Sequence, residues 1–327
     1  MTLDVQLVNA FVRPYENAVA TARTCYSSRG IVDTEVVSDR PEMRDRIAQS
    51  IFEAGHHTTL QHAHFQFALS GVSRQFLWTF LHAHPFYNSE QVSQRYVEVK
   101  PDAVVVPPLE GEARTLFRAR VEAQMEEYQN LIERLLPICE DAYFKRFGAR
   151  KRRAEKYRGE IKKRAQELAR YVLPLGTEAY LYHTVSGLTL LRYWRLAETF
   201  DAPREQRAVL GRMVELLLEA DPLFEKILQE PLPLEDTPEY AFFAGAGLAD
   251  SDEGRAAWAA DFDAELGGRV SKLVDYKVRN EEATAQAVRD VFGVPASALS
   301  DDGAIELLLD PAKNPLLGET MNVTTLS

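Results

Sequence analysis

The apolar residues change their repeat partway along this chain, and few architectures accommodate such a change. Residues 5–12 (VQLVNAFV) have the apolar bias of a short strand, and residues 62–73 (HAHFQFALSGVS) alternate with period two. Between and after them the repeat is helical. Residues 14–28 follow Pro14, which suits a first helical turn. A second helix opens at Asp39-Arg40-Pro41-Glu42, with Asp39 as candidate cap, Ile47, Ile51 and Phe52 at helical spacing, and Gly55 as its stop. Residues 74–84 (RQFLWTFLHAH) return to helical spacing until Pro85. Residues 87–96 read as a loop, and residues 97–108 as an extended stretch bounded by prolines.

From about Glu112 to about Glu230 the pattern is almost entirely helical. It predicts helices over residues 112–147 with a bend at Pro137, over 165–175, over 177–200 and over 203–224. Few strands followed by many helices imply an α+β fold, a small mixed or antiparallel sheet packed with a helical bundle.

Residues 230–240, with three prolines, read as a connector, and the chain then resembles its own beginning. Residues 7–26 and 273–292 align without a gap. Leu7, Val8, Val12, Arg13, Glu16 and Arg23 match Leu273, Val274, Val278, Arg279, Glu282 and Arg289. The expected organisation is a module over 1–230, a connector over 231–267 and the start of a second, incomplete copy over 268–327. The other reading is a strand–helix appendage alike only by common supersecondary logic.

Composition excludes several classes. No run of eighteen apolar residues exists, and the N-terminus lacks a basic flank before an apolar stretch. Cys25 and Cys139 form no metal-ligand spacing, which suits a reducing cytoplasm. A net charge of −11 argues against general nucleic-acid affinity but leaves room for a local basic pocket.

Four segments could carry chemistry. His56, His57, His62 and His64 fall within nine residues, but their spacing does not converge on a metal. A histidine- and threonine-rich turn suits hydrogen bonds to phosphate or ribose. The polar loop after His84 holds Gln91, Ser93, Gln94 and Arg95: an arginine fork for phosphate, and amides for a base edge. Its bland reading is a solvated connector. Arg170 interrupts an apolar stretch and needs an anionic partner, a carboxylate or a bound phosphate. Residues 145–164 contain eleven Lys or Arg and two acids, open to readings as a solvated helix, a nucleic-acid surface or a source of local potential.

Taken in order, GHHTTLQHAHFQFALSGVSR, SEQVSQRYV and ARYVLPLGTEAYLYHTVSGLTLLRYWRL resemble the flavin-dependent thymidylate synthases over residues 5–230. The resemblance implies reductive methylation of dUMP to dTMP with FAD, 5,10-methylenetetrahydrofolate and NADPH. It implies a homo-oligomer with sites between subunits, or a pseudo-dimer with a second module. Arg95 and Arg170 are the implied catalytic residues, holding dUMP with Gln91, Ser93 and Gln94. His56, Thr58, Gln61 and His84 are the implied FAD contacts, and no metal is implied. The family's Arg-His-Arg motif is missing: its arginines fall on Ala83 and Pro85, or on His82 and His84 in the other register. Its later Asn-x-Arg and arginine positions hold Ser186, Leu188 and Ala197. Read with the repeat, this pattern suggests a divided site in a truncated or split form, or a non-catalytic nucleotide-binding half.

Overall fold

The computed structural model of the chain describes residues 3–85, 87–246 and 251–314. Its described residues form two compact units that divide between Ala246 and Gly247.

The first unit is built on an antiparallel sheet of β1 (Asp4–Ala10), β2 (His64–Ser73), β3 (Tyr87–Gln91) and β4 (Glu178–Ser186), in the order β1-β2-β4-β3. The β2–β4 ladder is the longest, running from His64 opposite Ser186 to Ser73 opposite Glu178. Period two sends Phe65, Phe67 and Leu69 of β2 and Ala179, Leu181, His183 and Val185 of β4 to one buried face. Tyr180 and Tyr182 stay exposed on the other.

Helices cover the buried face. α1 (Pro14–Cys25), α2 (Thr34–Ser38) and α3 (Pro41–Glu53) follow β1, and α4 (Arg74–His82) leaves directly from β2. A hairpin of α5 (Gly111–Arg146) and α6 (Ala154–Ala169) has its own apolar cluster around Met125, Tyr128, Ile132 and Ala165. α7 (Gly187–Thr199) leaves directly from β4, then come α8 (Arg204–Ala220) and α9 (Pro238–Gly245). The main core joins Tyr15, Phe65, Phe67, Phe76, Phe80, Leu188, Leu210 and Phe224, all fully buried. Each such side chain contributes about 1.5–3 kcal/mol. Ser73 and Ser186 cap the two helices that follow strands, their hydroxyls accepting from Phe76 N (3.0 Å) and Thr189 N (3.2 Å).

Several elements differ from the sequence expectation. Residues 178–186 are a strand rather than helix, because the alternation of inward Leu181 and His183 with outward Tyr180 and Tyr182 outweighs the surrounding helical repeat. Residues 87–91, read as loop, pair with β4 as an edge strand despite their polarity. Pro137 sits inside α5 without ending it. Asp39 ends α2 rather than capping α3, whose N-cap is Arg40 without a side-chain bond. Among the described residues no helix is long and apolar enough to cross a membrane.

The second unit holds α10 (Asp252–Leu266), α11 (Asn280–Phe292) and α12 (Asp301–Leu309). α11 matches α1 in the self-alignment, and α12 follows as a second helix. The segment aligned with β1 forms no strand, and Leu273, Val274, Tyr276 and Val278 are exposed. α10 occupies the expected connector. The end of the expected second copy, residues 315–327, lies outside the described residues.

Gly187 is tightly packed in the main core. A Cβ there would overlap the Phe224 ring and lie 3.0 Å from Phe65 Cε2. Gly187→Ala should destabilise the first unit by about 1–3 kcal/mol, read as a lower midpoint in urea unfolding.

Candidate functional site

The polar loop after β3 folds over the end of the β2–β4 ladder at which β2 passes into α4. Val92 N donates to Tyr180 O (3.1 Å), keeping the loop on β4 after the strand ends. Ser93 then organises a tight turn: its hydroxyl accepts from Arg95 N (3.2 Å) and its carbonyl from Val97 N (3.0 Å). A cleft of about 250 Å³ lies beneath, lined by Ser70, Gly71, Arg74, Ser93, Gln94, Glu178 and Tyr180 among others.

α6 forms the adjoining wall. Arg95 Nη2 pairs with Glu167 at 2.7 Å, three residues before Arg170. Lys162 pairs with Glu98 at 2.8 Å, and Gln166 donates to the same carboxylate at 3.0 Å. Burial opposes ionisation of Glu167, but its bonds to Arg164 and Arg95 hold its carboxyl below the usual range. Arg95, Gln91, Ser93, Gln94 and the end of α6 that leads to Arg170 are thus gathered into one region. Part of the basic segment is accounted for by the same pairing, through Lys162 and Arg164.

Arg74, the first residue of α4, escaped the sequence reading. It donates to Gln91 Oε1 (2.8 Å) and Val92 O (2.5 Å), tying the helix start to the loop. Its buried Nε has no hydrogen-bond partner. Burial and the nearby charge of Arg170 both push its pKa down. Arg74 and Arg170 put positive potential on one side of a cleft that Glu98 and Glu178 also line. The available signal was its position directly after an alternating strand, at a helix N-terminus where a cation is unfavourable.

The histidine–threonine turn lies at the other end of the ladder. His57 Nε2–H donates to Phe52 O (2.9 Å), so its Nδ1 accepts from Arg192 Nη2 at 2.6 Å. Burial pushes the pKa of Arg192, which the sequence reading also passed over, downward. Gln61 Oε1 accepts from Thr189 Oγ1 (3.0 Å) and from Ser186 Oγ, which binds it inside the α7 cap. His56 and Thr58 are exposed on the turn. His56 borders a second cleft of about 530 Å³ between α1 and α3. Leu188 and Ala197, at two positions where the resemblance expects arginine, are core residues 1% and 3% exposed.

His84 is placed with neither group. Its imidazole is buried among Phe80, Tyr87, Tyr193 and His183. Its Nδ1–H donates to Phe80 O (3.0 Å), so its Nε2 accepts from His183 Nε2–H at 3.2 Å. His183 Nδ1 is then left without a partner. Among the described residues no cluster of ligands could hold a metal ion.

The sequence pattern of the family described as "Thymidylate synthase complementing protein" matches residues 6–223. The flavin-dependent thymidylate synthase of Clostridium tetani is 29% identical over 199 residues, covering 60% of this chain and 74% of that protein. That of Mycobacterium sp. strain JLS is 30% identical over 223 residues, covering 67% and 81%. Among solved structures, the UMP/dUMP methylase PolB from Streptomyces cacaoi bound with 5-Br dUMP is similar at 18% identity. Its TM-score is 0.47, with 70% of this chain and 98% of that one covered. Thymidylate Synthase X from Helicobacter pylori with FAD and dUMP is similar at 18% identity and a TM-score of 0.45, covering 69% and 96%.

The buried histidine pair carries a pH dependence. Burial depresses the pKa of His84 from 6.5 to about 4, and that of His183 from 6.5 to about 3, helped by the charge on His84. The unfolded chain therefore binds these protons first. The stability is fully present above the ordinary histidine pKa of 6.5 and is lost as pH falls through the two folded-state values. Each histidine adds a slope approaching about 1.4 kcal/mol per pH unit in that window. Urea midpoints between pH 7 and pH 5 should fall less steeply in His183→Phe than in the parent chain.

Proposed function

The chain belongs to the thymidylate synthase complementing protein family, and on that premise we propose that it binds dUMP for flavin-dependent reductive methylation to dTMP. The carbon donor in this reading is 5,10-methylenetetrahydrofolate and the reductant is NADPH. FAD, when bound, supplies the hydride transfer; the protein's part is to bind, orient and balance charge.

The observation that carries the reading is the cleft under the 91–97 turn, whose lining sets Arg74 and Lys100 beside Glu98 and Glu178. Arg74 lines it with an unpartnered buried Nε and with Arg170 as its cationic neighbour. Arg95 stands on the adjoining wall in a pair with Glu167, which a dianionic phosphate can displace. Ser93 and Gln94 border the cleft, and Gln91, held by Arg74, ends the strand that leads into it. In this assignment Arg95 and Arg170 hold the phosphate and base of dUMP, and Gln91, Ser93 and Gln94 set its orientation.

The flavin is assigned to the opposite end of the ladder, with His56 and Thr58 as its contacts. An exposed turn beside an open cleft without carboxylates fits a group that carries phosphates. Gln61 and His84 take supporting roles, Gln61 through the cap of α7 and His84 through the packing of β3 and β4. The two clefts share no lining residue, and hydride transfer requires contact, so this reading includes completion of the working site by a second copy or module.

A second reading, nucleotide binding without methyl transfer, is favoured by the core burial of Leu188 and Ala197. No charged group can occupy those positions without a partner. Arg95→Ala should weaken dUMP binding by roughly 1.5–3 kcal/mol in isothermal titration, and an unchanged affinity would remove the nucleotide assignment. Formation of dTMP by the purified chain from dUMP, the folate, NADPH and FAD would eliminate the binding-only reading. Tight dUMP binding without turnover would establish it.

A further inference from the structure

The cleft between α1 and α3 has a composition unlike the rest of this acidic chain. It is lined by Arg23 and Tyr26 at the end of α1, by Met43, Arg46 and Ile47 on α3, and by His56 on the turn that follows. No carboxylate lines it, and its volume of about 530 Å³ lies within the range of small-molecule sites. Neither arginine forms an ion pair or a side-chain hydrogen bond among the described residues, and the same holds for the His56 ring.

The neighbouring arginines show how unusual that is. Arg44, two residues from Arg46, pairs with Glu16 at 2.9 Å and with Asp45 at 2.8 Å. Arg289 of the second unit occupies the position that the self-alignment equates with Arg23. It is 5% exposed, bound to Asp301 at 2.7 Å and to Leu299 O at 3.2 Å. At the same helical position one cation is neutralised within its own unit and the other is left facing a cleft.

We infer that this cleft is a second anion site, distinct from the one under the 91–97 turn, which takes the diphosphate of an aromatic nucleotide. Arg23 and Arg46 hold the phosphates from the two sides of the cleft, with His56 as a third donor. Guanidinium forks match phosphate oxygens better than any single donor does. Tyr26, 68% exposed, offers a ring face for stacking, and Met43 and Ile47 give an apolar floor. The chemistry is shared by a nucleoside diphosphate and by the diphosphate bridge of FAD. Only the identification with FAD rests on the flavin assignment above.

The test is isothermal titration of the full-length chain with pyrophosphate, ADP, FAD and dUMP, repeated on Arg23→Gln/Arg46→Gln and on Arg46→Gln alone. Arg46 is exposed, so the single variant keeps the test valid should the double variant fail to fold. The expected result is a loss of ten-fold or more in ADP affinity in the double variant, with a smaller loss in the single one and dUMP affinity unchanged. ADP affinity equal in parent and variants, or no binding of ADP and pyrophosphate to the parent, overturns the site. Arginine-dependent ADP binding without FAD binding upholds the anion site and removes the flavin assignment. Arginine-dependent ADP binding together with FAD binding that ignores both arginines upholds the anion site and removes only its identification with FAD.

Discussion

The pairing of β2 with β4 is the interaction on which the rest of the first unit depends. Its register sets which side chains of both strands enter the core, and a slip of one residue would expose Phe65, Phe67 and Leu181 together. It also launches two helices in opposite directions. β2 ends at Ser73 and passes into α4, while β4 ends at Ser186 and passes into α7, each serine capping the helix it starts. One ladder thereby fixes two separate candidate regions, one at each end.

The two regions use charge differently. Around the 91–97 turn most cations are engaged: Arg95 with Glu167, Lys162 with Glu98, Arg164 with Glu167. Arg74 is engaged only through Nη1 and Nη2, its Nε partly desolvated and Arg170 nearby. Paired charges shape the loop. At the other end, Gln61, Ser186 and Thr189 close on one another as an internal cap, and His57 braces Arg192. What faces solvent there is the cleft bordered by His56, Arg23 and Arg46.

The positions at which the resemblance expects arginine acquire a physical meaning from this arrangement. Leu188 and Ala197 are packed against the sheet, where an arginine would need a buried counter-charge. His84 is absorbed into a ring cluster with His183, Tyr87 and Tyr193.

Much was legible from residue pattern alone. Alternation marked β2, and Pro14 and Pro41 marked the starts of α1 and α3, because these signals are local and arise from backbone geometry. The order of the histidine–threonine turn, the Ser-Gln-Arg-Tyr loop and the Ala-Arg-Tyr-Val-Leu-Pro-Leu stretch identified the family, since sequence order survives folding unchanged. The strand nature of 178–186 and 87–91 was not legible, because strands gain their hydrogen bonds from partners distant in sequence. Nor were the roles of Arg74, Gln61 and His84. Whether a polar side chain faces a cleft, closes on a neighbour or enters the core is decided by which elements pack beside it, and only tertiary structure supplies those neighbours.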